Sequence, residues 1–351
     1  MIQNVRMASP LELGLDTFGD VTVDSLGKPL PQAEVLRHVV EEAVLADAVG
    51  IDAFGVGEHH RPDFAVSAPE VVLAAIAGRT KRVVLGSAVT VLSTDDPVRV
   101  FQRFSTLNAL SNGRAEITVG RGSFTESYPL FGFDLSQYEL LFEDRLSLFA
   151  KLLENGPTTW SGKTRSGLEA TTVYPPIESG RLRAWVGVGG SPESVVRAAR
   201  YGLPLMLAII GGNPSRFASY AVGYRAALQQ LGKSELPIGA HSPGHVADTD
   251  EKAEEEVWPH YRAIMTRIGR ERGWPPVTRD HFDREVGPAG ALCVGSPETV
   301  AQKIAGTIKA LGLSRFDMKY SSGSLPHEVM MRSIELYGTK VIPRVRELTA
   351  S

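Results

Sequence analysis

Eight apolar runs of β type, each ending in polar, Gly-rich or His-rich sequence and each followed by residues at helical spacing, constrain this chain more than anything else in it. The runs fall at residues 11–17, 51–57, 82–92, 114–120, 184–189, 203–210, 236–246 and 315–320. Helical patterns follow at 32–49, 69–77, 97–110, 138–153, 191–201, 214–231, 249–270 with 297–311, and 327–346. Strand-then-helix repeated in this way gives a parallel sheet with helices packed outside it. No GxGxxG turn follows the first run, which argues against an open doubly wound sheet, and eight units favour closure into a (βα)8 TIM barrel. Chemistry in that fold sits where the strands end.

Two stretches break the rhythm. Residues 156–183, with Gly162, Gly167, Pro175-Pro176 and Gly180, carry no helical period and read as an insertion holding a hairpin around Trp160. Residues 269–296, with Trp274-Pro275-Pro276, read as a second, irregular insertion. Neither resembles a linker, so residues 1–351 are expected to form one barrel domain. A net charge of −3 gives no electrostatic case for nucleic acid or a membrane surface. The single cysteine, Cys293, excludes an internal disulfide framework and Cys-based zinc sites. The opening residues lack the apolar core of a secretory leader, and no apolar run approaches a membrane span, so a cytoplasmic protein is expected.

Three strand ends carry candidate chemistry. Arg121 lies between Gly120 and Gly122 at the predicted mouth of the fourth strand, where a guanidinium can offer paired hydrogen bonds to phosphate while the glycines allow close approach. After the fifth strand, Gly189-Gly190 precedes Ser191-Pro192-Glu193-Ser194, which places free backbone N–H groups and two hydroxyls at a helix start suited to an anion. An ordinary N-cap explains Ser191 equally well but leaves the paired glycines unexplained. Glu58-His59-His60 follows the second strand. Adjacent histidines cannot both face one ion from a strand and no His-x-x-x-His helix is visible, so no metal is expected and a proton-handling or hydrogen-bonding histidine is the better reading. His241 and His245 should point to the same side of the seventh strand, either lining a polar interior or packed and hydrogen-bonded.

Taken in order, EHH, LGSAVTVLSTDDPVR, LNALSNGR, VGRG and GGSPES…ARYGLPLML resemble the bacterial luciferase-like family of flavin-dependent monooxygenases, from about residue 11 to 250. The closing KYSSGSLPHEVMMRSIELYGTKVIP is similar to that family's last βα unit, and the two insertions match least. The resemblance implies a luciferase-like TIM barrel in which Arg121 meets the FMN phosphate, Ser191 and Ser194 contact it from the helix start beside Gly189 and Gly190, and His59 handles the oxygenated flavin. It also implies a non-prolyl cis peptide at Ala88-Val89 beside the flavin ring. Gly120 stands where bacterial luciferase has a reactive cysteine, so thiol chemistry and light emission are not expected. Reduced FMN from a separate NAD(P)H-dependent reductase would react with O2 to oxygenate a small organic substrate, and a homo-oligomer is expected. Open alternatives are a deazaflavin-dependent hydride-transfer enzyme, a non-catalytic flavin-binding protein, a metal-dependent hydrolase barrel and a structural partner-binding protein. Nothing in the sequence names the substrate or assigns roles to His60, His241, His245 and His327.

Overall fold

Period-2 alternation sets the barrel wall. In the computed structural model, which describes residues 11–24, 26–178 and 180–350, the first strand is Glu12–Thr17 (β1), whose Leu13 and Leu15 are fully buried in the apolar layer shared with Val39, Ala43 and Ile51. Glu12, Gly14 and Asp16 therefore take the inner face. Seven more parallel strands complete the ring: Ala53–Val56 (β2), Val84–Ser87 (β3), Ala115–Gly120 (β4), Arg183–Val188 (β5), Leu205–Ala208 (β6), Ile238–Val246 (β7) and Arg315–Lys319 (β8). Each pairs with the next, and β8 closes on β1 with Glu12 opposite Arg315 and Asp16 opposite Lys319. The architecture is the closed eight-stranded TIM barrel that the alternation predicts.

The interior is charged rather than aliphatic. Arg315 bridges Glu116 at 2.5 Å and Asp317 at 3.0 Å, while Arg183 joins Glu116 and Glu12, each at 2.6 Å. Burial pushes the Glu116 carboxyl up, but the guanidiniums of Arg315 and Arg183 outweigh it and hold the group below its ordinary range. For Asp317 burial wins over Arg315 and lifts the carboxyl to about 6. A cavity of about 550 Å³ lies at the N-terminal ends of the strands, lined by Leu11, Val84, Thr349 and the paired Asp52 and Arg346. That end of such a barrel serves stability, and the ligand-type side chains converge at the other.

Three expectations need correction. The run at 82–92 is not one strand: β3 stops at Ser87, and a separate two-residue strand, Thr90–Val91, pairs with β4. The stretch 269–296 is not irregular, because the helix Asp250–Arg272 continues into it and ends at the left-handed Gly273. A further helix, Arg279–Val286, is capped by the Thr278 side chain, and Cys293–Gly295 adds a strand beside Gly244–Val246. The final helical stretch is His327–Leu336, a wider turn at Tyr337–Val341, and Ile342–Thr349. The insertion at 156–183 does hold a hairpin, Thr158–Trp160 against Leu168–Thr171, with Trp160 donating to the Ser147 hydroxyl at 2.8 Å. Residues 1–10, where the absence of a leader was expected, lie outside the described residues. No helix among the described residues is long and apolar enough to cross a membrane.

Candidate active site at the barrel mouth

The mouth is built around a ledge. The Ala88–Val89 peptide is cis, as the resemblance implied, and it is held from both sides by backbone. Ala88 N–H donates to Val56 at 3.0 Å and Val89 accepts from the Glu58 N–H at 3.1 Å, while the Glu58 carboxylate accepts from Val91 N–H at 2.8 Å. Glycines surround the ledge because side chains would not fit. A Cβ on Gly57 would stand 2.6 Å from the Ala88 carbonyl oxygen, and one on Gly120 would stand 2.8 Å from a Val89 methyl. Gly55 and Gly187 are nearly as tight, at 3.0 and 3.2 Å from Ala88 and Val89. Gly120 thus leaves room for the Val89 side chain on the ledge.

His59 stands beside this ledge in an aromatic box. Its ring centroid lies 4.6 Å from Phe18, 4.6 Å from Phe64 and 5.2 Å from Phe124, and its N–H on the main chain donates to Val66. Burial lowers its pKa from the ordinary 6.5 to about 3, with Lys319, His60 and Arg61 adding to the shift against Asp20. The ring is therefore neutral at physiological pH. It can donate or accept one hydrogen bond, but it is not a charged acid. His60 turns away and bonds Glu58 at 2.8 Å. The segment misread as irregular helps to cover the box: Arg272 lies 5.0 Å over Phe124 and donates to the Ser123 carbonyl, and Arg61 bridges to Glu271 at 2.6 Å.

Arg121 and the helix Pro192–Tyr201 are brought together through a carboxylate. Arg121 pairs with Glu139, whose other oxygen takes Arg197 at 2.8 Å, and Arg197 reaches the buried Ser194 hydroxyl at 3.4 Å. Ser191 caps the helix, accepting from Ser194 N–H and donating to Glu193. Gly189 has nothing within 4 Å of a Cβ position, and the Gly190 carbonyl accepts from the Tyr220 hydroxyl. Glu143 completes the group by holding Arg197 at 2.7 Å and Arg200 at 2.6 Å. Arg197, Glu139 and Glu143 escaped sequence reading, although their spacing carried a signal, since Glu139 and Glu143 sit four apart on one helix face opposite Arg197 and Arg200.

The remaining histidines separate. His241 bonds Asp16 inside the barrel at 2.5 Å, whereas His245 bonds Glu256 of the following helix at 2.7 Å, so both are packed and hydrogen-bonded but to different partners. His327 bonds the buried Glu42 at 2.8 Å and stacks on His38 with centroids 3.9 Å apart. Among the described residues, His38, Glu41 and His327 bring ligand-type atoms within 4.8 Å of one another. Their rings are 12° from parallel, so the in-plane lone pairs run side by side instead of converging as a metal requires.

A closed parallel barrel with a backbone ledge, a buried imidazole and paired guanidiniums at its mouth defines a ligand-binding enzyme barrel. The family described as luciferase-like monooxygenase matches residues 17–315, and the chain belongs to that family and hence to the oxidoreductases. It is similar to the alkanal monooxygenase alpha chain of Photorhabdus luminescens, 24% identical over 369 residues, covering 94% of this chain and 97% of the relative. In structure it resembles the oxygenating constituent of 3,6-diketocamphane monooxygenase of Pseudomonas putida, a type II Baeyer-Villiger enzyme in complex with FMN. The TM-score is 0.77 at 19% identity, covering 95% of this chain and 98% of the other. An F420-dependent secondary alcohol dehydrogenase in complex with an F420-acetone adduct is also similar, with a TM-score of 0.74 at 19% identity, covering 96% and 99%.

Proposed function

We propose that this protein is an FMN-dependent monooxygenase that receives reduced flavin from a separate NAD(P)H-dependent reductase and uses O2 to oxygenate a small organic substrate. The observation that carries the reading is the pairing, at one mouth, of a glycine-lined peptide ledge with a phosphate-type end made of Arg121, Arg197, Ser194 and the open Gly189 turn. These groups fit a planar ring with a phosphate tail. The ledge offers a flat backbone surface for the ring, and two guanidiniums suit a phosphate geometrically. Bound flavin would supply the electrons and the oxygen activation. The chain's own residues bind and orient it, while Phe18, Phe64, Phe124 and the Arg272 contact exclude water. Neutral His59 provides a hydrogen bond beside the ledge.

The fold's resemblance to an F420-dependent enzyme supports a second reading, in which a deazaflavin with a longer tail transfers hydride and O2 is not consumed. Oxygen uptake decides between them. Reduced FMN supplied by a flavin reductase, with a panel of aldehydes, ketones and aromatic substrates under ¹⁸O2, is expected to give labelled product. Hydride exchange with F420 and no labelled product under any condition would favour the second reading and reject the first.

A further inference from the structure

Asp16 and His241 form a pair that neither the sequence pattern nor the family match assigns. Asp16 is the penultimate residue of β1 and is buried. Its Oδ2 lies 2.5 Å from Nδ1 of His241, and its Oδ1 is buried with no hydrogen-bond partner. A buried carboxylate so placed has the imidazole as its main compensation, so Nδ1 carries a proton and donates to Oδ2. With Nδ1 committed, Nε2 is the atom left to act. In register, His241 stands opposite Ala208, the last residue of β6, and so lies at the rim of the barrel. Its ring is stacked 6.3 Å from Phe18, whose edge meets His59 at 4.6 Å, so the two imidazoles flank the same phenyl ring.

The charged groups facing His241 are Asp16 from β1 and Asp317 and Lys319 from β8; the two carboxylates favour its charged form, and Lys319 and burial oppose them. The balance raises its pKa, as burial lowers that of His59. Two histidines whose surroundings drive them in opposite directions are suited to different proton roles.

We propose that His241 and Asp16 are the proton-delivering pair of the mouth, with His241 Nε2 as donor and an anionic oxygen on the ligand bound there as acceptor. The Nε2–H bond breaks as the O–H bond forms, the imidazolium becomes neutral imidazole, Asp16 stays a carboxylate, and the ring regains its proton from water. The proposal rests on the reading of the mouth as an oxygenase site, but the pair can be tested without turnover.

Ring ¹⁵N NMR of the full chain, with His241 assigned by its loss in His241→Gln, should show both ring nitrogens protonated at pH 7. Asp16→Asn should lower the titration midpoint by about one unit or more; should that variant misfold, the wild-type titration alone decides. A His241 ring that is neutral at pH 7, or that is unmoved in folded Asp16→Asn, would overturn the pair. His241→Gln should keep FMN affinity within about threefold of wild type yet lower product formation by about a hundredfold or more, with loss of the alkaline limb of the pH profile. Unchanged turnover in His241→Gln would remove it as donor. Failure of wild-type protein to bind flavin would instead sink the functional reading and leave the titration to judge the pair.

Discussion

Glu139→Gln should tighten FMN binding, a direction that follows from the geometry and not from the family pattern. Glu139 holds Arg121 with one oxygen and Arg197 with the other, so a phosphate that engages both guanidiniums must take the place of this carboxylate. The Glu139 side chain is 60% exposed, which keeps each contact in the range of surface ion pairs, about 0.2–1 kcal/mol. Removing the charge while keeping the side-chain shape should therefore favour phosphate by about 1 kcal/mol, or about fivefold in Kd. Arg121→Ala should act the other way, losing a charge-assisted contact of about 1.5–3 kcal/mol and weakening FMN about tenfold or more. Quenching of FMN fluorescence gives both constants, with riboflavin as the control lacking phosphate. Unchanged or weaker FMN binding in Glu139→Gln, or an equal change for riboflavin, would refute the placement of the phosphate.

Gly120→Ala should destabilise the fold by about 1–3 kcal/mol in urea unfolding, because its Cβ would lie 2.8 Å from a methyl of Val89, a β-branched side chain with little freedom to turn away; wild-type stability would show that the ledge can shift. His59 takes its proton near the ordinary 6.5 when unfolded but only near 3 when folded, so the unfolded state binds more protons between those values and stability must fall as pH drops through them. Comparison with His59→Gln should show wild type losing up to about 1.4 kcal/mol more per pH unit across that window, and parallel curves would contradict a neutral His59. Lys303→Met should cost about 1–3 kcal/mol and loosen segment 279–295 to hydrogen exchange, since the ammonium donates to the carbonyls of Val286, Leu292 and Gly287 at 2.6, 2.6 and 2.8 Å; unaltered protection there would rule out this role.

The barrel was legible because its signals are local. Pro at the first helical turn with an apolar stripe behind it places Pro69–Ala77, Pro97–Leu110 and Pro297–Leu311 to the residue. Segment 269–296 was missed because Trp274-Pro275-Pro276 reads as a break, although it interrupts only a short link between two helices, and the strand Cys293–Gly295 is three residues long. The ledge was visible only through resemblance. The tight packing of Gly55, Gly57, Gly120 and Gly187 around it depends on β2, β4 and β5 meeting in space. Asp16 and Lys319 were passed over for the same reason: Asp16 and His241 are 225 residues apart, and no spacing rule joins them. A period-2 reading of ELGLDT and RFDMK, with acidic and basic residues on one face and Leu, Phe and Met on the other, did contain the polar interior.

The most direct test of the account is anaerobic equilibrium titration of the full chain with reduced FMN, reduced riboflavin and reduced F420. Saturable binding of one FMN per chain, at least tenfold tighter than riboflavin and weakened in Arg121→Ala, is the expected result. Absence of saturable FMN binding, or F420 binding more tightly than FMN with no effect of Arg121→Ala, would contradict it.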